Sequence, residues 1–367
     1  MKLSKSIAGK LSAINKYRYK LILVIAVIWT ILDTLYTIIR FNFLDIQTRY
    51  YFFEYQDFQP ILLREIIILL MSAIIGYVLV FNFKRNTRNF PLWFNFLAKT
   101  AVLVSLAFFM NFLIHITYSL LISKLSPLYA WREFLNDAFN TYWIVEKLPS
   151  WLLIFFMTQL IIEIIEKYSP GIFLDVFLGK YVHPRIEKRI IMFIDLKDST
   201  PIAEKLGHKD YFRFIRDFIY FISIALIEYN GRIYQYVGDE IVVSWPFNAA
   251  NTKRCMDSLI EARKILQKNG ESFRRKYDII PEFRVGIHAG EVTIGEIGLI
   301  KKDLAMSGDT MNTTARIRGA CSELKQKFIV SKDFIDAIDL KEWQSESLGL
   351  VDLKGKDKGI ELFALKI

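Results

Sequence analysis

Cysteine is nearly missing from this 367-residue chain: only Cys255 and Cys321 occur, and they form no CxxC pair. A disulfide framework is thereby excluded, and both thiols are expected as plain core side chains in a reducing compartment. No small-residue cleavage site follows the first apolar run, so that run is expected to stay in the chain as a span and not to leave as a signal peptide. A single basic stripe is also missing. The net charge is +10, but the early Lys and Arg residues flank apolar segments, a pattern that marks membrane topology and gives no reason to expect a nucleic-acid partner.

What is present divides unevenly. Mean hydropathy is positive, and the apolar excess sits almost wholly before residue 170. A membrane part followed by a soluble part is expected: a basic N-terminus over 1–20, a four-helix transmembrane domain over 21–166, a linker over 167–188 and a soluble domain over 189–367. Four runs, near 21–39, 66–83, 101–122 and 151–165, can cross a bilayer core of roughly 30 Å at about 1.5 Å per residue. They mostly lack the polar stripe of helices buried in soluble bundles.

Lys2, Lys5, Lys10, Lys16, Arg18 and Lys20 precede the first span with no acid among them, and Lys84, Arg85, Arg88 and Lys99 lie between the second and third. The other loops mix signs, as in Arg49 with Glu54, or Arg132 with Glu133 and Asp137. The positive-inside rule places the N-terminus, the middle loop and the soluble half in the cytoplasm, as a multi-pass protein of the inner (plasma) membrane. Asp33, Asn111 and His115 fall within or near spans, where hydrogen bonding between helices competes with a sensing role. In the linker, Ser169-Pro170-Gly171 breaks the last helix, Ile172–Leu178 reads as a helical turn or two, and Pro184 closes it.

In the soluble half, periodicity predicts a strand over 189–195, a helix over 201–229 and strands over 232–237 and 241–245 joined at Gly238-Asp239. A helix over 252–277, a strand over 283–288 and a helix over 310–321 follow. The order β-α-β-β-α-β is that of an α+β, ferredoxin-like fold: an antiparallel sheet with helices on one face. In that fold the first strand and the hairpin are neighbours, so Asp195 and Asp239 can converge at one edge. Two carboxylates with only oxygen company suit Mg²⁺ or Mn²⁺ shared with substrate phosphates; as isolated residues they would read as ordinary turn formers.

Thr200-Pro201 has the form of an N-cap before a first-turn proline, which would aim free N–H groups at the same edge and could hold a triphosphate. Asn312 and Arg316, four apart, share one helix face. That pairing reads either as a solvated surface or as an amide and a guanidinium facing ribose and phosphate. Lys354, on a glycine-loosened Lys-Gly-Lys turn, is a further phosphate candidate.

Taken together, Phe193-Ile194-Asp195-Leu196-Lys197-Asp198-Ser199-Thr200, Gly238-Asp239-Glu240, Arg284-Val285-Gly286-Ile287-His288-Ala289-Gly290-Glu291-Val292 and Gly308-Asp309-Thr310-Met311-Asn312-Thr313-Thr314-Ala315-Arg316 stand in an order and spacing that resembles the class III adenylyl/guanylyl cyclase catalytic domain. The resemblance covers roughly 188–366 and none of the membrane half. It implies a membrane-bound lyase that turns a nucleoside triphosphate into a 3′,5′-cyclic nucleotide and pyrophosphate, with two Mg²⁺ or Mn²⁺ ions, in a head-to-tail homodimer. Asp195, Asp239 and the Leu196 carbonyl would hold the metals from one subunit, and Asn312, Arg316 and Lys354 would come from the other. Ser199, where the family usually carries Phe, and Thr200 fall on the substrate-facing turn.

The family's two base-reading positions hold Gln235 and Ala305, where a lysine and an Asp, Thr or Ser are usual. Gln235 both donates and accepts, whereas the Ala305 side chain does neither. ATP is the expected substrate, with guanylyl cyclase and a catalytically silent nucleotide-binding receptor or scaffold as alternatives. A diguanylate cyclase is disfavoured, because Val237-Gly238-Asp239-Glu240-Ile241 lacks that enzyme's first Gly and its Phe.

Overall fold

The computed structural model describes residues 12–43, 58–83, 91–121, 124–140, 143–167, 172–300, 302–337, 344–353, 356 and 359–367. The chain separates into two compact units, Asn15–Lys167 and Tyr168–Ile367 together with Met1–Ile14.

The first unit is helical: α1 (Ala13–Phe43), α2 (Phe58–Tyr77) running on as a π-helical turn over Val78–Phe83, α3 (Leu92–Leu121), α4 (Pro127–Asn140) and α5 (Trp143–Lys167). Four stretches, Ile14–Tyr36, Leu62–Phe81, Trp93–Leu121 and Lys147–Ile165, are long and apolar enough to cross a membrane. Their large side chains point mostly outward, Leu23, Ile28, Leu70, Ile74, Leu97 and Leu153 among them. Exposing such surface to water costs about 25 cal/mol per Å², a penalty that hydrocarbon does not impose.

Inward, Ile25, Trp29, Ile75, Leu79, Leu103, Ala107 and Phe155 form one cluster. Polar cross-links join the helices there. The Trp29 indole donates to Thr158 Oγ1 at 2.8 Å, the Gln159 amide donates to Thr100 Oγ1 at 3.1 Å, and Arg64 pairs with Asp33. Asn111 instead donates back to the Ala107 carbonyl of its own helix at 2.9 Å, while His115 Nε2 lies 3.7 Å from Glu133.

Helix α4 lies where the sequence reads as a mixed-sign loop. Its charges conceal an apolar stripe at i, i+4 and i+8, Ala130, Phe134 and Ala138, all buried. Phe134 meets Phe108 and Phe112 of α3 at ring distances of 5.4 and 5.1 Å.

The second unit begins with the short helix α6 (Ile172–Phe177) and continues β1 (Arg185–Leu196), α7 (Ser199–Glu228), β2 (Arg232–Val237), β3 (Glu240–Pro246), α8 (Ala249–Tyr277), β4 (Phe283–Ile297), β5 (Asp303–Ser307), α9 (Asp309–Glu323), β6 (Phe328–Ser331), α10 (Lys332–Ile335), β7 (Gln344–Val351) and β8 (Ile360–Lys366). These strands form one sheet in the order β2-β3-β1-β4-β6-β8-β7, with β5 paired to β4. The β2-β3-β1-β4 part is the expected antiparallel ferredoxin-like core. The sheet as a whole is mixed, because β6 runs parallel to β4.

Helices cover both faces, not one. Ile190, Met192, Ile194 and Leu196 join Phe214, Phe218 and Ile222 of α7 and Leu259 and Phe273 of α8. Ile191 and Phe193 point the other way, packing with Val292, Met306 and the α9 residues Met311 and Ala315. The unbroken apolar run from Ile190 to Ile194 is the local sign of a strand buried on both faces. Each fully buried Ile or Phe contributes about 1.5–3 kcal/mol.

Several boundaries differ from expectation; strand β4, expected over 283–288, runs on to Ile297. Strand β1 starts inside the expected linker, because Arg185–Lys188 is polar and mostly exposed yet pairs with β4 as far as Ile294. Helix α7 starts at Ser199, with Asp198 as a left-handed N-cap at φ 56 and not Thr200. Pro201 fits within the first turn, where an N–H would have no intrahelical partner. Both cysteines are buried, and burial pushes the Cys321 thiol up to about 12 and Cys255 well above its usual range.

Candidate active site

The site is built at one end of β1. Asp195 is the last but one residue of the strand, and Leu196 buries its side chain in the core. Asp239 sits at the tip of the β2–β3 hairpin, where Val237 pairs with Glu240 across the two-residue turn Gly238-Asp239. Gly238 takes φ 61, the positive value that a tight hairpin needs at its first central position and that glycine adopts without strain. Since β3 pairs with β1, Ile241 opposite Ile194, the turn carries Asp239 to the end of β1. The two carboxyls approach one another closely.

Burial pushes the Asp195 carboxyl above the ordinary aspartate range, Arg318 opposes that shift, and repulsion from Asp239 adds to it. Asp239 Oδ2 is sealed from solvent with no hydrogen-bond partner. Two closely spaced carboxylates with an unpartnered buried oxygen fit a hard divalent cation. Among the described residues no three His, Cys, Asp or Glu side chains are grouped to hold a metal, so the protein donors would be the two carboxylates and a backbone carbonyl such as that of Leu196.

The structure adds residues that the motifs did not single out. Glu240, beside Asp239, is half-buried, and burial lifts its carboxyl too, against the pull of Arg318. Arg318 Nη1 lies 3.3 Å from Asp195 Oδ2, and its Nη2 pairs with Glu240 Oε2. Tyr211 of α7 hydrogen-bonds Ser199 near both aspartates. The available signal for Arg318 was its phase: two residues past Arg316, about 200° round the helix, it projects from the opposite flank.

Ser199 is half-buried and Thr200 exposed at the start of α7. Their N–H groups precede the first intrahelical bond, from Ile202 N to the Asp198 carbonyl at 3.2 Å. Asn312 is exposed and Arg316 half-buried on α9, flanking the stripe Thr313, Thr314 and Ile317 that packs inward. Helix α9 is pinned at its start by Thr310 Oγ1 donating to the Glu291 carbonyl at 2.6 Å. Lys354 lies outside the described residues. Lys356 pairs with Asp309, at the start of α9, at 2.6 Å.

Gln235 is exposed on β2, and Ala305 is half-buried on β5 opposite Gly295. The residues next to them touch: Met306 N donates to the Tyr234 hydroxyl at 2.9 Å.

The fold is thus an α+β, ferredoxin-like sheet with a carboxylate pair at one edge. The family model for the adenylate and guanylate cyclase catalytic domain matches residues 181–366, and the chain belongs to that family. It is 28% identical over 207 residues to adenylate cyclase 2 of Rhizobium meliloti (strain 1021), covering 56% of this chain and 57% of the relative. To the adenylate cyclase of Anabaena cylindrica it is 27% identical over 216 residues, covering 55% and 42% respectively. The chain therefore spans about half the length of the curated relatives it matches. A bacterial light-regulated adenylyl cyclase shares the fold, with a TM-score of 0.53 and 17% identity over 60% of this chain and 65% of that one.

Proposed function

We propose that this protein is a membrane-anchored nucleotidyl cyclase that converts ATP, in preference to GTP, to the 3′,5′-cyclic nucleotide and pyrophosphate at sites shared between two copies of the chain. The observation that carries this reading is the close pair Asp195 and Asp239, with its sealed, unpartnered oxygen, inside a domain of the cyclase family. Relatives named adenylate cyclase support ATP.

The two carboxylates, with the Leu196 carbonyl, would hold two divalent ions. When bound, these ions supply Lewis-acid activation of the ribose hydroxyl and neutralise phosphate charge. The 3′-oxygen bonds to the α-phosphorus, the α–β bridging bond breaks, and pyrophosphate leaves with the electron pair while the hydroxyl proton passes to solvent. Arg316, aided by Lys354, stabilises charge on the phosphates, Asn312 orients the ribose, and the first turn at Ser199 and Thr200 faces the triphosphate. Helix phase supports a shared site. Arg318 reaches its own chain's Asp195, and Arg316 lies about 200° round α9 from it, which supports Arg316 serving the site of a second copy.

Purified full-length protein incubated with Mn²⁺ and either ATP or GTP, with products identified by mass, tests the reading. Cyclic AMP in excess over cyclic GMP is expected. No cyclic product from either would leave a silent nucleotide-binding domain.

With Ala305 mute, base selection rests on Gln235 and backbone groups. Restoring both partners, Gln235→Lys with Ala305→Thr, should raise the ATP/GTP preference by roughly 5–150-fold, the scale of about 1–3 kcal/mol for a satisfied buried polar group. An unchanged ratio would show that these positions do not face the base.

The apolar outward faces of α1, α2, α3 and α5 and the basic segment before α1 support a four-span anchor with the catalytic unit inside. A C-terminal tag should be protected from external protease in intact cells. Cleavage there would end that topology.

A further inference from the structure

Helix α9 carries two arginines of opposite phase, and the inward one reaches a place where a cation already has work to do. We infer that Arg318 is a resident counter-cation of the carboxylate cluster, competing with the divalent metal for Asp195 and setting the metal concentration the domain requires. This rests on the metal reading of Asp195 and Asp239 proposed above.

The placement is built in. Gly286 of β4 faces α9 so closely that a Cβ there would collide with the Arg318 backbone nitrogen and come within 2.8 Å of its Cα. The root of the side chain is thereby fixed beside β1, because Gly286 pairs with Phe193, two residues before Asp195. From that root the guanidinium fork spans Asp195 and Glu240, one terminal nitrogen on each.

The Asp239 charge raises both of those acids, while Arg318 contacts Asp195 and Glu240. The neighbouring Arg284, cross-strand from Asp195 and also acting on it by charge, pairs with Asp198 at 3.6 Å, and Lys197 pairs with Glu282 at 2.9 Å. Arg318 is itself held incompletely. Its Nε is buried with no hydrogen-bond partner, and its side chain keeps 30% exposure. A guanidinium gripped only at its tip, with solvent beside it, can leave when a stronger cation arrives. A divalent ion on Asp195 draws on the same lone pairs and repels the guanidinium, so the two exclude each other.

The test is direct Mn²⁺ binding to the full-length protein in detergent, without nucleotide, read from the free-ion electron paramagnetic resonance signal. Arg318→Gln should bind Mn²⁺ about tenfold more tightly than the native protein, the scale of one charge at near-contact distance in a half-buried site. Arg318→Lys, which keeps the charge but loses the fork, should fall between them; it carries the test should the glutamine variant not fold.

A second readout is thermal. Saturating Mn²⁺ should raise the melting temperature of Arg318→Gln by more than it raises that of the native protein, since at one ligand concentration stabilisation grows with the logarithm of affinity. Equal or weaker Mn²⁺ binding by a folded Arg318→Gln would overturn the inference and leave Arg318 as a structural ion pair. No Mn²⁺ binding by the native protein or either variant would sink the metal reading itself, and the inference with it.

Discussion

Chains carrying Asp195→Asn and chains carrying Arg316→Ala should each be almost inactive alone, yet recover about a quarter of native activity when co-expressed. On the proposed shared-site reading each chain would hold both half-sites: the carboxylate pair at the end of β1 and the Asn312/Arg316 flank of α9. In either mutant homodimer, every shared site lacks one part. In a mixed dimer both lesions fall in one site, and the other joins an intact carboxylate pair to an intact Arg316. Random pairing makes about half the dimers mixed, and half the sites in those are whole. A site assembled within one chain cannot recover, because each subunit stays broken whatever its neighbour. Failure to regain activity, with mixed dimers demonstrated by differential tags, would refute the shared site. The helix-phase argument for Arg316 would fall with it.

Asp239→Asn should abolish turnover, by at least roughly 10²–10³-fold, while leaving the domain folded. The substitution is nearly isosteric and removes a charge close to Asp195. Its effect on stability follows from linkage. The Asp195 carboxyl is raised from its usual 3.8, chiefly by burial and further by Asp239. A carboxyl raised on folding favours the folded state below its unfolded pKa and loses that contribution as pH rises through the folded value. At neutral pH, without metal, the paired charges therefore work against the fold, and Asp239→Asn should melt at or above the native temperature in chelator. Loss of activity together with a lower melting point would point instead to a structural role for Asp239. Asp198→Asn is the matched control. Asn tolerates the left-handed backbone at φ 56, and the exposed Asp198 carboxyl stands outside the aspartate pair. Near-native activity is expected there.

Much of the molecule was legible locally. The four apolar runs became four long helices, and Gly238-Asp239 became the two-residue turn that carries Asp239 to β1. The ferredoxin-like order of the first four strands followed from the alternation of strand and helix patterns. Less legible was anything that depends on what a residue packs against. Helix α4 hid an inward stripe within a mixed-sign sequence, and Asp198 capped α7 because its left-handed turn, invisible to propensity, let the helix begin earlier.

The carboxylate motif, the hairpin glycine and the helix face shared by Asn312 and Arg316 are properties of spacing, so the sequence by itself determined them: periods of two and 3.6 residues follow from backbone geometry alone. Only the tertiary structure decided that α9 covers the second face of the sheet. It also decided that Arg318, 123 residues from Asp195 in the chain, closes on Asp195 and Glu240. The reason is physical: periodicity records how much of a residue is buried, whereas the charges it meets are set by long-range packing, here by a helix seated on Gly286 because that position has no Cβ.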